Sequence, residues 1–353
     1  MTGEFPDQRV RLRHHGDVDA APGLADFAVN VRLDEPPAWL LDTLAAELPR
    51  LGRYPSAEQD ALARQAVAER HHRQPDEIAV LAGAAEGFAL LPGLRPTLAA
   101  VVHPSFTEPE IALADAGVPV HRVLLSGDYA LRPSLVPDAA DLVVVGNPTN
   151  PTSVLHPADT IRALARPARV LVVDEAFIDA VPGERESLAG DRRTPGVLIL
   201  RSLTKTWALA GLRAGYAIGA PDLIAALTCH RPQWPVSSLV LAAVRACSEH
   251  RAVAEAGAHT TELVTHRAWL AAQLAALPGM RVHQPAEGPF LLVRVPDGAR
   301  LRESLRDRGI AVRRADTFPG LTADHLRIAV RPPHRCAPLL AALRAELAAG
   351  VAA

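Results

Sequence analysis

Val197-Leu198-Ile199-Leu200, followed by Arg201-Ser202-Leu203-Thr204-Lys205-Thr206-Trp207-Ala208-Leu209-Ala210-Gly211-Leu212-Arg213, is the stretch around which the chain can be ordered. Four consecutive apolar residues read as the end of a strand buried on both faces, the habit of parallel sheets. The strand runs into hydroxyls, a lysine and, eight residues after the lysine, an arginine. One amine able to condense with a carbonyl therefore stands beside several anion donors at a single strand terminus. That set suits a phosphorylated carbonyl compound: the amine forms a Schiff base, while hydroxyls and guanidinium hold the phosphate.

The same pattern recurs upstream. Ile78-Ala79-Val80-Leu81, Val101-Val102, Leu142 to Val145 and Val170 to Val173 are apolar runs separated by helical patterns, and Gly215 to Gly219 adds a further strand. Such alternation predicts an α/β fold with a mostly parallel central sheet covered by helices, with ligand groups at the C-terminal strand ends. The polar residues at those ends are the Gly83 turn with the backbone N–H groups of Ala84 and Ala85, then Phe106, Asn147, Asp174 and Lys205. A strand, a glycine turn and a helix starting near Phe88 form a natural phosphate cradle, although the turn alone is ordinary chemistry. Helices are predicted over 36–48, from an N-cap at Ser56 to Arg70, over 108–116 and 157–165, and through 252–277. The remainder, with strands near Phe290 to Val295, Gly309 to Val312 and Leu326 to Val330 and a last helix from about Ala337, reads as a smaller α+β unit. The expected division is an N-terminal arm over 1–35, a large domain over 36–255 and a small C-terminal domain over 256–353.

A chain of 353 residues, 49% hydrophobic, has enough apolar material for one large core and a smaller second one. A net charge of −2 with mixed signs leaves no footprint for nucleic acid or an anionic membrane, so small polar metabolites are the expected partners. No signal-like segment and no apolar run approaching ~18 residues is present, and a cytoplasmic protein is expected. Cys229, Cys247 and Cys336 are isolated, which argues against a disulfide framework and against a metal site.

Taken together, Asn147-Pro148-x-Asn150-Pro151-Thr152, Asp174-Glu175-Ala176-Phe177 and Ser202-x-Thr204-Lys205 with Arg213 resemble the fold type I pyridoxal-phosphate enzymes, specifically the class I/II aminotransferase family. The resemblance covers nearly the whole chain. It implies that Lys205 is the Schiff-base lysine and proton shuttle and that Asp174 faces the pyridine nitrogen. It also implies that Asn147 donates to the ring oxygen and Phe106 stacks on the ring. Ala84, Ala85, Ser202 and Arg213 would hold the phosphate. Tyr54 resembles a residue reaching the neighbouring subunit's cofactor, implying a homodimer with shared sites. Arg327, in Leu326-Arg327-Ile328, resembles the carboxylate-binding arginine.

Phe177 stands where many members carry a hydroxyl-bearing tyrosine. That residue, the His15-Gly16-Asp17 and Asp26-Phe27-x-x-Asn30 segments and the Arg327-x-x-x-Arg331 pair resemble the branch of cobalamin-pathway threonine-phosphate decarboxylases, close to histidinol-phosphate aminotransferases. His15, Asn30, Arg32 and Arg331 are then expected near the substrate, with Arg331, Arg32 and the His14-His15 cluster as added anion donors. Transamination of a small phosphorylated amino acid is the leading expectation, decarboxylation of threonine phosphate the alternative, and a non-catalytic cofactor-binding protein a third reading.

Overall fold

The computed structural model of the protein describes residues 10–351. In chain order its strands are β1 (Ala25–Phe27), β2 (Ile78–Leu81), β3 (Ala99–His103), β4 (Val120–Leu124), β5 (Leu142–Gly146) and β6 (Val170–Asp174). They continue with β7 (Val197–Ser202), β8 (Gly215–Ile218), β9 (Arg281–Val282), β10 (Phe290–Arg294), β11 (Ile310–Arg314) and β12 (His325–Ala329). A seven-stranded sheet has the order β2-β8-β7-β6-β5-β3-β4, and a five-stranded sheet the order β1-β11-β12-β10-β9.

In the larger sheet β4, β3, β5, β6 and β7 run parallel, while β8 is antiparallel to both β7 and β2. The predicted mostly parallel sheet is thus observed. Apart from the edge strand β4, its strands are buried on both faces because helices cover both. Val143, Val145, Val173 and Ile199 pack into one apolar layer, and Leu142, Val144, Val172 and Leu198 into the other. Each such side chain contributes about 1.5–3 kcal/mol on leaving water. The helix Ala57–His71 begins where the N-cap predicts, and Ser56 and Gln59 form a reciprocal capping box.

Several boundaries differ from expectation for identifiable reasons. The helix after β2 spans Ala84–Leu90 and starts directly at the glycine turn, four residues before Phe88, because Gly83 takes φ +78° and lets the chain turn at once. The final helix starts at Pro333, ahead of Ala337, since proline is accommodated in a first turn. The expected arm over 1–35 is more than an arm. Its first nine residues lie outside the described ones, but Gly16–Asp19 is a short helix, and β1 pairs in parallel with β11 to form the edge of the smaller sheet. The helix His250–Ala275 gives Ala252 and Ala256 to the core of the large sheet and Leu263, Leu270 and Leu274 to that of the small one, so the two cores meet along a single helix.

Candidate active site

The C-terminal ends of β5, β6 and β7 open into a cavity of about 500 Å³, closed on its other sides by the N-terminal segment and by the smaller sheet. Of the residues singled out from sequence, His15, Asn30, Ala84, Ala85, Phe106, Asp174, Ser202, Lys205, Arg213 and Arg327 line it. Five do not: Tyr54, Asn147, Arg331, Arg32 and His14.

Lys205 sits one turn beyond β7, with its amine in the cavity. No hydrogen bond or ion pair engages that amine among the described residues, while its backbone oxygen accepts from the Arg32 N–H at 2.9 Å. Burial, reinforced by the positive charges of Arg327 and Arg213 and opposed by Asp17, lowers the amine from 10.5 to about 8. An amine so displaced spends more of its time as the unprotonated nucleophile near neutral pH. Asp174 ends β6. Its Oδ1 accepts the Ala176 N–H at 3.0 Å and it has no cationic partner among the described residues. Desolvation is the main cause that lifts its carboxyl to about 6, with the backbone bond opposing and Glu175 adding to the rise. A cationic ligand group beside Asp174 would relieve that cost.

At the cradle, the first-turn N–H groups of Ala84 and Ala85 face the cavity together with the Ser202 and Thr204 hydroxyls, which are 2.7 Å apart, and the exposed Arg213 guanidinium. Glycine at position 83 is required here: a Cβ would stand 3.1 Å from Arg213 Nη2, on a backbone that L residues rarely adopt. Phe106 lies against Phe88 at 5.9 Å and carries the His15 ring at 5.2 Å, and the His15 Nε2 meets Glu108 Oε1 at 2.6 Å.

The opposite wall is cationic. In the antiparallel pairing of β11 with β12, Arg313 stands directly across from Arg327, so both guanidinium groups share one face. Arg327 donates to Asn150 Oδ1 and to the Ala28 carbonyl, each at 2.5 Å, and lies over the Phe290 ring at 5.4 Å. Burial and the neighbouring Arg313 lower Arg327 to about 9; burial, with Arg314 adding, lowers Arg313 to about 10 against the pull of Asp19. Arg313 spends its donors on the Arg314 and His14 carbonyls and the Thr317 hydroxyl, with Asp19 3.5 Å away, so Arg327 is the guanidinium of this pair with donor capacity left for an anion. Asn30 Oδ1 and Arg327 Nε are buried in the same wall without partners, leaving polar capacity for a ligand.

The five residues outside the cavity have physical explanations. Asn147 is buried and its amide is consumed locally: Oδ1 accepts the His156 N–H at 2.7 Å, and Nδ2 donates to the carbonyls of His156 and Glu186 at 3.2 and 3.4 Å. It staples the turn. The asparagine three residues on, Asn150, reaches the cavity and Arg327 in its place. Arg331 donates to the carbonyls of Val31, Val29 and Asp26 at 2.7, 2.8 and 3.3 Å, so its guanidinium clamps the N-terminal segment instead of facing an anion. Arg32 points to the Asp179 carbonyl. Tyr54 is 74% exposed and stacks on Trp234 at 4.1 Å, away from this cavity. His14 pairs with Asp19 at 3.2 Å. Sequence reasoning missed Arg313, Asn150, Thr204 and Glu108 as wall residues; for Arg313 the usable signal was strand alternation across an antiparallel partner of Arg327.

A seven-stranded, mostly parallel sheet with lysine, aspartate and an anion cradle at its strand ends, flanked by a smaller sheet, is the fold type I architecture of pyridoxal-phosphate-dependent transferases. The family described as aminotransferase class I and II matches residues 23–343, and the chain belongs to it. A histidinol-phosphate aminotransferase of Mycobacterium tuberculosis is 55% identical over 336 residues, covering 95% of this chain and 91% of the relative. A threonine-phosphate decarboxylase of Salmonella typhimurium is 32% identical, covering 91% and 90%. Among solved structures, a histidinol-phosphate aminotransferase from Sinorhizobium meliloti in complex with pyridoxal-5'-phosphate superposes with a TM-score of 0.81 at 21% identity, over 99% of each chain. Among the described residues, no helix is long and apolar enough to cross a membrane.

Proposed function

We propose that the protein is a pyridoxal-phosphate-dependent aminotransferase acting on a small phosphorylated amino compound, with histidinol phosphate the first substrate to test. The observation that carries this reading is the division of the cavity into an unpartnered amine and an unpaired carboxylate at one wall and two facing guanidinium groups at the other. The residues present fit the cofactor. Ala84, Ala85, Ser202 and Arg213 would take its phosphate, Asp174 would face its ring nitrogen, Phe106 would cover a ring face, and Lys205 would hold its carbonyl carbon. When bound, the group supplies an electron sink for the bond broken at the substrate's α-carbon.

The chain's own contribution is orientation and proton transfer. Arg327 binds the substrate anion and thereby sets which bond at the α-carbon faces Lys205. The Lys205 amine, lowered by burial and by Arg327 and Arg213, would take a proton from that carbon and return it elsewhere. Asn150 aligns Arg327, and Glu108 holds His15 against Phe106. Phe177 packs edge-on against Phe290 at 5.0 Å, where it supports the ring under Arg327.

A homodimer of cytoplasmic enzyme subunits is part of the same reading. The stacked Tyr54–Trp234 pair, with Leu48 and Leu51 also exposed, offers an aromatic and aliphatic surface suited to a second copy. Sedimentation equilibrium of the wild type would return a dimer mass, and Tyr54→Asp with Trp234→Asp would return a monomer.

The activity test is incubation of the cofactor-loaded protein with histidinol phosphate and 2-oxoglutarate, measuring glutamate. Keto-acid-dependent glutamate formation supports transamination. Carbon dioxide release from O-phosphothreonine without any acceptor would replace it by decarboxylation, and absence of both would leave a binding protein.

A further inference from the structure

Directly behind Asp174 and Ser202, on the rear face of the large sheet, lies a buried set of charges that touches no cavity wall. Its origin is strand alternation. Asp174 and Glu175 are neighbours and point to opposite faces, as do Arg201 and Ser202. β6 and β7 are paired, with the Glu175 N–H donating to the Leu200 carbonyl at 2.9 Å, so the two residues that turn away from the cavity meet each other. Arg201 Nε lies 3.0 Å from Glu175 Oε2, and Arg201 Nη2 donates to Glu184. Glu184 in turn accepts from Arg70 at 2.6 Å. Glu175 also accepts the Ser187 hydroxyl and the Leu188 N–H, both at 2.7 Å. Two carboxylates and two guanidinium groups therefore balance, and the Arg201 and Glu175 side chains are buried to 4% and 0% exposure.

We propose that Arg201 is a positioning residue of the active site: by neutralising Glu175 and Glu184 behind the sheet, it sets the proton affinity of the groups in front of it. This rests on the reading of Asp174 and Lys205 as cofactor residues given above. The geometry bounds the effect. Paired strands lie about 5 Å apart, so Arg201 is within roughly 10 Å of Asp174. An unbalanced unit charge at that range shifts a titration by on the order of one pH unit. Glu175 already contributes to the raised carboxyl of Asp174. Other charged groups face the site from the cavity side, namely Lys205, Arg213, Arg327, Arg313, Asp17 and the His15–Glu108 pair. From the rear, His71 bonded to Tyr216 at 2.9 Å, the buried Asp179, and Arg32 and Arg73 beside them also face the network. Arg201 itself holds the buried Glu175 and Glu184 carboxyls towards their ionised forms and also bears on His71, Tyr216 and Asp179; where the two carboxylates keep their charge, losing Arg201 adds net negative charge and raises the proton affinities in front of it, whereas losing Glu175 lowers them.

The test uses holoenzyme and reads the pH midpoint of the bound cofactor's visible absorption, together with cofactor retention on dialysis. Arg201→Gln should move the midpoint up by about one pH unit, Glu175→Gln should move it down by a similar amount, and the charge-balanced double variant should return to within about 0.3 of wild type. A purely structural clamp predicts no such restoration, because the double variant loses more contacts than either single one. Should Arg201→Gln fail to fold, Glu175→Gln and the double variant carry the same comparison. Midpoints that stay at the wild-type value, or that move in one direction in both single variants, overturn the proposal while leaving the cofactor reading intact. A wild-type protein that binds no pyridoxal phosphate, or a Lys205→Ala variant with an unchanged spectrum, overturns both.

Discussion

Replacing Lys205 with methionine in the cofactor-free protein should make the fold more stable at neutral pH while abolishing the chemistry. The amine stands at about 8 in the folded chain against 10.5 when unfolded, chiefly through burial. Below pH 8 both states carry the charge, and holding it in the cavity costs about 3 kcal/mol at 1.36 kcal/mol per pK unit. Between pH 8 and 10.5 the unfolded state binds one proton more than the folded state, so the cost fades and stability from this group climbs with pH. Methionine retains the aliphatic stem and brings no charge. Urea unfolding of both apo-proteins should therefore show the variant more stable by about 2–3 kcal/mol at pH 7, with the gap shrinking below about 1 kcal/mol at pH 10. Background titrations common to the two proteins cancel in the difference. A variant no more stable than wild type at pH 7, or a gap that does not depend on pH, would refute the claim that the site holds Lys205 at an electrostatic cost.

Arg327→Met should lower kcat/KM for a phosphorylated substrate by about a hundredfold or more, because the anion loses a guanidinium whose neighbour Arg313 is already bonded to carbonyls and Asp19; equal kinetics would remove Arg327 from the binding wall. Arg331→Met should instead cost about 2–4 kcal/mol of stability, read by urea unfolding, since three carbonyls lose their donor, and should leave KM within about twofold. The two asparagines should separate in the same way: Asn147→Ala destabilises by about 2 kcal/mol with little change in KM, and Asn150→Ala raises KM about tenfold at nearly unchanged stability. Asp19→Asn removes the carboxylate that now offsets Arg313, so thermal melts should show a lower Tm that inorganic phosphate restores by more degrees than it adds to wild type.

The large sheet was legible because its strands are unbroken apolar runs, and a doubly covered parallel sheet is the arrangement that accommodates such runs repeated between helices; Leu142 to Val145 and Val170 to Val173 show the pattern directly. The groups at the ends of those strands followed from position. Asn147 and Arg331 were misread for one shared reason. Both are polar residues at motif positions, and sequence does not reveal whether a side chain's donors are consumed by nearby carbonyls. Asn147 spends its amide within its own turn, and Arg331 spends its guanidinium on a segment some 300 residues away. Arg313 was hidden for the opposite reason. Beside Arg314 it looks like one of two interchangeable surface cations, and only the register that sets it opposite Arg327 separates them.

That register also explains why the N-terminal segment cannot be a loose arm. The two guanidinium groups are tolerable inside the protein because groups from residues 14–28, together with Asn150, Thr317 and the Arg314 carbonyl, surround them. Arg313 donates to the His14 carbonyl and lies 3.5 Å from Asp19, and Arg327 donates to the Ala28 carbonyl. Gly16 passes so close that a Cβ would sit 2.6 Å from the Ala28 oxygen. The same segment reaches the other sheet, where the Thr107 hydroxyl donates to the Leu12 carbonyl at 2.6 Å and His15 meets Glu108. Arg327 and Arg313 on the smaller sheet and the Lys205 amine beyond the larger one thus line one cavity, with one stretch of chain bonded to both sides of it. An anionic substrate entering there meets cations already desolvated and aimed, and the cost of arranging them is met in folding before it arrives.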